Sequence, residues 1–400
     1  MSASKLDVLK SEVGAELRNN ILPFWMKQMI DQNNGGFFGR IEGNGVVHAD
    51  ADKGCVLNAR ILWTFSSAYR ILKNPDYLKV AERSKDYLLE YFFDKKNGGV
   101  YWLLDNKGKV KDGKKQIYAQ AFAIYGLVEY FRVTNDKNCL NNAIGLFKLI
   151  EKYSYDEKLD GYFEAFTMEW GPLDDLRLSA KDANEKKTMN THLHVLEAYT
   201  NLYRVWKDDF LKQQLERLIA VFADKIINNQ TYNLSMFFDE DWNDKTDLVS
   251  YGHNIESSWL IYEAALVLGD DTVIRKVKKI CLHIADASKE GIMKDGSMIY
   301  EKFFRTGHID YDRHWWVQAE TVIGFLNAFY LSGKEEYLNL SVAEWKFISD
   351  HLIDRSNGEW YWSVNKDPKA NIREDKAGFW KCPYHNSRMC LEIIERHSVV

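Results

Sequence analysis

Six times along this chain an amphipathic helical stretch ends in a short glycine-and-aromatic segment that leads into another helical stretch. The segments are Gly35-Gly36-Phe37-Phe38, Gly98-Gly99-Val100-Tyr101-Trp102, Asp160-Gly161-Tyr162-Phe163, Leu234-Ser235-Met236-Phe237-Phe238, Asp295-Gly296-Ser297-Met298-Ile299-Tyr300 and Asn357-Gly358-Glu359-Trp360-Tyr361-Trp362. From Gly36 through Gly99, Gly161, Ser235 and Gly296 to Gly358 the steps are 63, 62, 74, 61 and 62 residues. A unit of two helices and a turn is repeated six times, and a repeat fixes architecture before any motif does.

Each unit holds too little apolar surface to fold alone, so its helices must share a core with their neighbours. Six helical hairpins can close into a ring with an inner and an outer layer. The expectation is an all-α fold, an (α/α)6 barrel of twelve helices with short β-hairpin-like aromatic turns at one end. Periodicity places the helices over 5–30, 54–73, 76–94, 116–135, 137–153, 187–206, 208–228, 252–268, 270–288, 314–332, 334–353 and 384–396. The even-numbered helices follow the aromatic turns and are expected to form the inner layer. Their first turns then converge on the mouth of a central cavity, where chemistry should be sought.

Composition agrees with one soluble body. The 400 residues contain no Pro-, Gly- or Ser-rich linker, so 1–400 is read as a single barrel domain. The 53 Lys+Arg against 58 Asp+Glu give a net −5, interspersed along the chain, which offers no basic stripe to nucleic acid. The opening segment carries charges where a secretory peptide needs an uninterrupted apolar stretch, and no run approaches membrane-spanning length. Five cysteines, 55, 139, 281, 382 and 390, lack any Cys-x-x-Cys, so neither a disulfide framework nor a zinc site is indicated. The expectation is a cytoplasmic protein, monomer or weak homodimer, with no nucleic-acid or membrane partner.

Thirteen tryptophans and 22 tyrosines are many for this length. Flat rings stack on the C–H faces of sugars but also fill cores, and most of these rings are expected to be core. Trp315 and Trp316 open the tenth helix and Trp380 precedes the twelfth, so these three are the candidates for ligand contact. Polar residues gather at the same inner-helix starts: Arg60 on the second helix, Tyr118 on the fourth, Asn190 and His194 on the sixth, His253 and Glu256 on the eighth, Glu320 on the tenth and His385 on the twelfth. Any one of these could be an ordinary core histidine or ion-pair partner. Their coincidence on all six inner helices argues for a site.

Spacing adds detail. Asn190 and His194, four apart, share a helical face and could grip one ligand, whereas His192 and His194 point about 200° apart. A His-x-His chelate on a helix is thereby disfavoured. His253 and Glu256, three apart, place a carboxylate within reach of the imidazole, which would raise its basicity and orient it as a general base. No His-Glu-x-x-His or similar chelating set appears, and no Gly-Gly pair is followed by the Gly-Lys-Ser/Thr of a phosphate-binding loop, so no metal and no cofactor is expected.

A sugar-sized cavity in such a ring suits two enzyme classes. A glycosidase needs two carboxylates flanking the glycosidic bond. Here the groups at the inner-helix starts are mainly histidines, with Glu256 and Glu320 the only carboxylates that stand out. Histidine titrates near neutrality and suits proton removal beside a carbonyl and proton return, so the balance leans towards sugar isomer interconversion.

The strings Asn58-Ala59-Arg60-Ile61-Leu62-Trp63, Asn190-Thr191-His192-Leu193-His194-Val195-Leu196-Glu197, Tyr251-Gly252-His253-Asn254-Ile255-Glu256-Ser257, Trp315-Trp316-Val317-Gln318-Ala319-Glu320 and Trp380-Lys381-Cys382-Pro383-Tyr384-His385-Asn386 resemble those of the N-acylglucosamine 2-epimerase superfamily, in order and over essentially the whole chain. The segment before His385 resembles that of the disaccharide-using members. The resemblance implies a cofactor-free enzyme that opens the reducing-end glucose ring of a β-1,4-linked disaccharide, removes the C2 proton to form an enediolate, and returns a proton to the other face. It also implies roles: His253 and His385 as the acid/base pair, Glu256 tuning His253, and Arg60, Asn190 and His194 at the reducing-end oxygens. Tyr118 would line the pocket, Trp316 and Trp380 would stack on sugar, and Glu320 would accept hydrogen bonds from hydroxyls. An N-acylglucosamine 2-epimerase, a mannose isomerase, a glycoside hydrolase and a non-catalytic sugar-binding protein remain the alternatives. The segment 164–186 is read as a variable loop.

Overall fold

The computed structural model describes residues 2–396. Residue 1 and residues 397–400 of the expected 1–400 domain lie outside the described residues. Twelve helices form among the described residues, counting those interrupted or ended by a π-helical turn as one. Helix α1 runs Ser2–Glu16 and continues through Leu17–Ile21 into Leu22–Lys27; α2 spans Cys55–Leu72; α3 Pro75–Tyr87 with a last turn Leu88–Phe92; α4 Ile117–Thr134; α5 Lys137–Tyr153; α6 Met189–Val205. Then come α7 Asp209–Val221 with Phe222–Ile226, α8 Tyr251–Leu268, α9 Asp271–Ser288, α10 Trp315–Ser332, α11 Glu335–Phe347 with Ile348–Leu352, and α12 Tyr384–Arg396. Every boundary lies within three residues of the periodicity reading.

The even helices are buried along almost their whole length, while α5, α7 and α9 bury only one face. Each even helix packs on the next, and α12 returns onto α2, so the inner ring is closed. Inner helices stop at left-handed residues, Lys73, Asn135, Gly269 and Gly333. Asn74, Asp136 and Asp270 follow at once, and their side chains accept backbone N–H bonds that start α3, α5 and α9. These tight links keep consecutive helices antiparallel.

At the opposite end each outer helix runs into a small antiparallel bridge: Ile30 with Phe37, Phe93 with Val100, Tyr155 with Tyr162, Ile227 with Leu234, Ile292 with Met298, and Ile353 with Trp360. These are the six glycine-and-aromatic segments. Two devices hold them. First, an aspartate just after the helix closes the turn with its own backbone and pairs with a buried lysine ahead of an inner helix. Asp31 meets Lys53 at 2.8 Å, Asp94 meets Lys115 at 2.8 Å, Asp156 meets Lys187 at 2.6 Å, and Asp354 meets Lys376. Second, one residue near the start of an inner helix clamps the bridge. The backbone N–H groups of Val100, Tyr162, Leu234 and Met298 donate to Gln120, His192, Asn254 and Gln318 respectively, at 2.7–3.0 Å.

His192 is therefore a structural residue, with Nδ1 held 2.6 Å from the Thr188 carbonyl. The turn beneath it requires glycine: Gly161 has φ +87°, and a Cβ there would lie 2.7 Å from His192 Nε2.

Short strands ahead of the inner helices pair with the following repeat: Lys53–Gly54 with Leu103–Leu104, Lys115–Gln116 with Ala165–Phe166, Lys187–Thr188 with Phe237–Phe238, Leu248–Ser250 with Glu301–Phe303, and Arg313–His314 with Ser363–Val364. The sixth pairing, Ile41 with Ala377, joins the first repeat to the last and completes the circle. Among the described residues no helix is long and apolar enough to cross a membrane.

Candidate active site

One residue on each inner helix lies in the ring of side chains at the barrel centre: Phe122, His194, Glu256 and Glu320, each two residues past a bridge-clamping position, and Arg60 and Arg388, two residues past Asn58 and Asn386. Around this ring the expected aromatic and histidine side chains form a continuous arc. Trp380 lies 5.9 Å from Tyr118, Tyr118 4.9 Å from His194, His194 6.5 Å from Tyr384 and Tyr384 4.7 Å from His385, between ring centroids. Trp316 then stands 5.5 Å from His385 and 4.7 Å from His253. Arg60, Tyr118, His194, His253, His385, Trp316 and Trp380 are thus brought together. Asn190, one turn before His194, keeps a buried Oδ1 without a partner.

Arg60 is 2% exposed, and no carboxylate lies within ion-pair distance of it among the described residues. Its Nη2 donates to the Tyr118 hydroxyl at 2.7 Å, its Nη1 to Cys382 Sγ at 3.5 Å, and its Nε has no acceptor. The guanidinium sits 4.2 Å from the centre of the Phe122 ring and 4.6 Å from that of Tyr384. A buried cation left without a counter-ion is costly, and the site holds a place for negative charge beside it.

The three site histidines share one arrangement. Nδ1 of His385 meets Glu320 at 2.7 Å, Nδ1 of His194 meets Glu197 at 3.0 Å, and Nδ1 of His253 meets the Ser250 hydroxyl at 2.8 Å. No side chain or backbone group among the described residues bonds their Nε2 atoms. Burial drives all three below the usual imidazole value, His194 to about 4 and His253 to about 3. His385 is lowered well below it, by burial first and then by Arg60 and Arg388. Neutral imidazoles with a carboxylate on Nδ1–H present a lone pair at Nε2, which is what a general base needs.

Three expected contacts are corrected. Glu256 does not hold His253, whose Nδ1 partner is Ser250; its Oε1 instead receives Arg388 Nη2 at 2.6 Å and lies 3.8 Å from His385 Nδ1. The longer reach of arginine outcompetes a histidine three residues away. Both oxygens of Glu320 are already engaged within the protein: Oε1 serves His385 and Arg388, and Oε2 accepts from Trp259 Nε1 at 3.0 Å. Trp315 turns away from the arc and packs on Trp362 with centroids 4.6 Å apart, because neighbours on a helix point about 100° apart. Trp316 takes the inward direction.

Sequence reasoning missed Arg388. Its Nη1 donates to Glu197 and to the Tyr384 hydroxyl, its Nη2 to Glu256 and Glu320 at 2.6 Å each, and its plane lies 4.8 Å from the Trp259 ring. A charged residue three positions after His385, near the start of an inner helix, was the available signal. Glu197, three after His194, was another. Glu256, Glu320 and His385 also have ligand atoms within 4.8 Å of one another, a spacing that could hold a metal ion. The Arg388 guanidinium already supplies a cation between the two carboxylates.

The chain matches the profile of the N-acylglucosamine 2-epimerase (GlcNAc 2-epimerase) family over residues 36–388. It is 54% identical over 388 residues to a cellobiose 2-epimerase of Bacteroides fragilis, covering 97% of this chain and 99% of that one. It is 40% identical over 392 residues to a cellobiose 2-epimerase of Dictyoglomus turgidum, covering 98% and 99%. The solved structure of a cellobiose 2-epimerase from Bacillus thermoamylovorans aligns with a TM-score of 0.94 at 44% identity, over 98% of this chain and all of that one.

Proposed function

The chain belongs to the N-acylglucosamine 2-epimerase family and is a carbohydrate isomerase, and from that premise we propose that it epimerises C2 of the reducing-end glucose in β-1,4-linked disaccharides. Cellobiose would give glucosyl-mannose, and lactose would give epilactose. The observation that carries this reading is the unpaired, buried Arg60 beside imidazoles whose Nε2 atoms are free. Once the sugar ring is open, one histidine of the pair His253 and His385 takes the C2 proton on Nε2. Negative charge then collects on O1, where Arg60 stabilises it. The other histidine, protonated from solvent, delivers its proton to the opposite face of C2, and the first releases its proton to water. His194 and Asn190 bind the reducing-end oxygens, and Trp316 and Trp380 stack on the sugar units. Glu256 acts through Arg388 and His385 rather than on His253.

The test is isotopic. Cellobiose is incubated with the enzyme in D2O, and the products are resolved by chromatography. Deuterium at C2 of the glucosyl-mannose product is the expected result. Full retention of label starting from C2-deuterated cellobiose would overturn the two-histidine scheme, and release of glucose in place of an epimer would overturn epimerisation itself.

A further inference from the structure

Three buried carboxylates, Glu197, Glu256 and Glu320, converge from α6, α8 and α10 on one guanidinium, Arg388 of α12. Two of the three also hold an imidazole: Glu197 holds His194 and Glu320 holds His385. The result is an unbroken chain of side chains, His194–Glu197–Arg388–Glu320–His385, across the floor of the site. Arg388 touches neither histidine through a hydrogen bond, and its Nε has no acceptor.

We propose that Arg388 is a positioning residue that fixes the proton of both His194 and His385 on Nδ1, by keeping Glu197 and Glu320 ionised as acceptors. An ionised carboxylate can only accept, so the imidazole facing it must carry its hydrogen on Nδ1 and its lone pair on Nε2. A protonated carboxyl can donate to Nδ1 instead, which moves the ring hydrogen to Nε2 and removes the base from the cavity. Which of the two forms is present depends on counter-charge, since burial alone favours the neutral acid. For Glu197, burial pushes the carboxyl up, but Arg388 with His194 and Tyr384 outweighs it and holds the group at about 2. The site therefore sets two carboxylate–imidazole pairs from a single cation. Burial raises Glu320 as well, but Arg388 and Trp259 oppose it and three side chains, those of His385, Arg388 and Trp259, face its oxygens; Glu256, raised by burial and by Glu320 beside it, receives only Arg388, so the third acid is the one placed to carry a proton. The other charged and titratable groups facing the histidines are Arg60, Tyr118, Tyr384, His253 and His385 for His194, and Arg60, Glu256, Tyr384, His194 and Glu197 for His385.

This inference rests on the acid/base reading of His385 given above, and two measurements keep the two separable. The first is kinetic. In Arg388→Lys the single ammonium cannot span all three carboxylates, and in Arg388→Met no cation remains. Turnover on cellobiose at pH 7 should fall by about 10²-fold or more, with the acid limb of kcat moved to higher pH, so that activity partly recovers as the medium becomes alkaline and Glu197 and Glu320 ionise again. A folded variant whose turnover falls equally at every pH overturns the proposal, and so does one whose turnover does not fall while both tautomers stay as in the wild type. The second is independent of activity, and its wild-type arm is independent of any variant's folding. With histidines labelled by 15N in the ring, the wild-type nitrogen shifts of His194 and His385 should report hydrogen on Nδ1 for both, and the lysine variant should move at least one towards Nε2. Hydrogen on Nε2 in the wild type overturns the proposal. Altered tautomers with undiminished turnover would instead support the positioning role and refute the acid/base role of these histidines.

Discussion

The two buried arginines of the site should respond oppositely to removal. Arg60→Met deletes a cation that has no carboxylate partner, so no buried counter-charge is orphaned. The losses are the hydrogen bond to Tyr118 at 2.7 Å and the stacking on Phe122 and Tyr384, together about 2–4 kcal/mol. Relief from burying an uncompensated charge returns several kcal/mol. The two nearly cancel, and the melting temperature should stay within a few degrees of wild type or rise. Activity should behave otherwise. An enediolate oxygen about 4 Å from the guanidinium gains about 4 kcal/mol at an effective dielectric of about 20, in line with the ~10²–10³-fold in kcat lost when a preplaced oxyanion donor is removed. Thermal melts and steady-state kinetics on cellobiose check both halves. A variant that melts much earlier yet turns over normally would show that Arg60 is a structural residue and would refute the argument.

His253→Ala and His385→Ala should each reduce turnover by about 10²-fold or more while remaining folded, as judged by kinetics alongside circular dichroism. Trp316→Ala should weaken substrate use by roughly tenfold with little change in melting, whereas Trp315→Ala, which empties core against Trp362, should cost about 3–5 kcal/mol in a urea titration and leave KM near wild type once folded. The depressed imidazoles set the pH profile: the deprotonated form is active, so lowering its pKa moves the loss of activity to lower pH, and kcat/KM should hold through pH 6.5 and fall only towards about 4. A half-point near 6.5 would contradict the burial described for His194 and His253. Dialysis against EDTA should leave the rate unchanged, and a loss restored by one divalent ion would show that the Glu256, Glu320 and His385 cluster takes a metal.

Much of this was legible because repetition and helical period are local signals. The six turns gave the number of hairpins, and the position of Arg60, His194, His253 and His385 just inside the even helices was enough to bring them to one cavity. Partner choice was not legible. Spacing of three residues joins His253 to Glu256 on an isolated helix, but in a closed ring Glu256 is also offered Arg388, 132 positions away, and the guanidinium wins. Likewise nothing local marks Lys53, Lys115 and Lys187 as buried ion-pair partners, because their aspartates lie 22, 21 and 31 residues back on another limb of the repeat. Trp315 and Trp316 could not be told apart without the direction of the barrel axis.

The clamp that ties four of the six aromatic turns to an inner helix bears on how such a molecule can vary. Between Gly161 and Ser235 the repeat is about a dozen residues longer than elsewhere, and the surplus lies in the connection from Phe166 to Lys187, outside any helix. His192 still grips Tyr162, and His194 still reaches the axis two residues further on. Length added between clamps is therefore mechanically insulated from the ring. Loops at the mouth are free to lengthen, shorten and change the company they offer a ligand, while the six axial positions keep their depth and bearing.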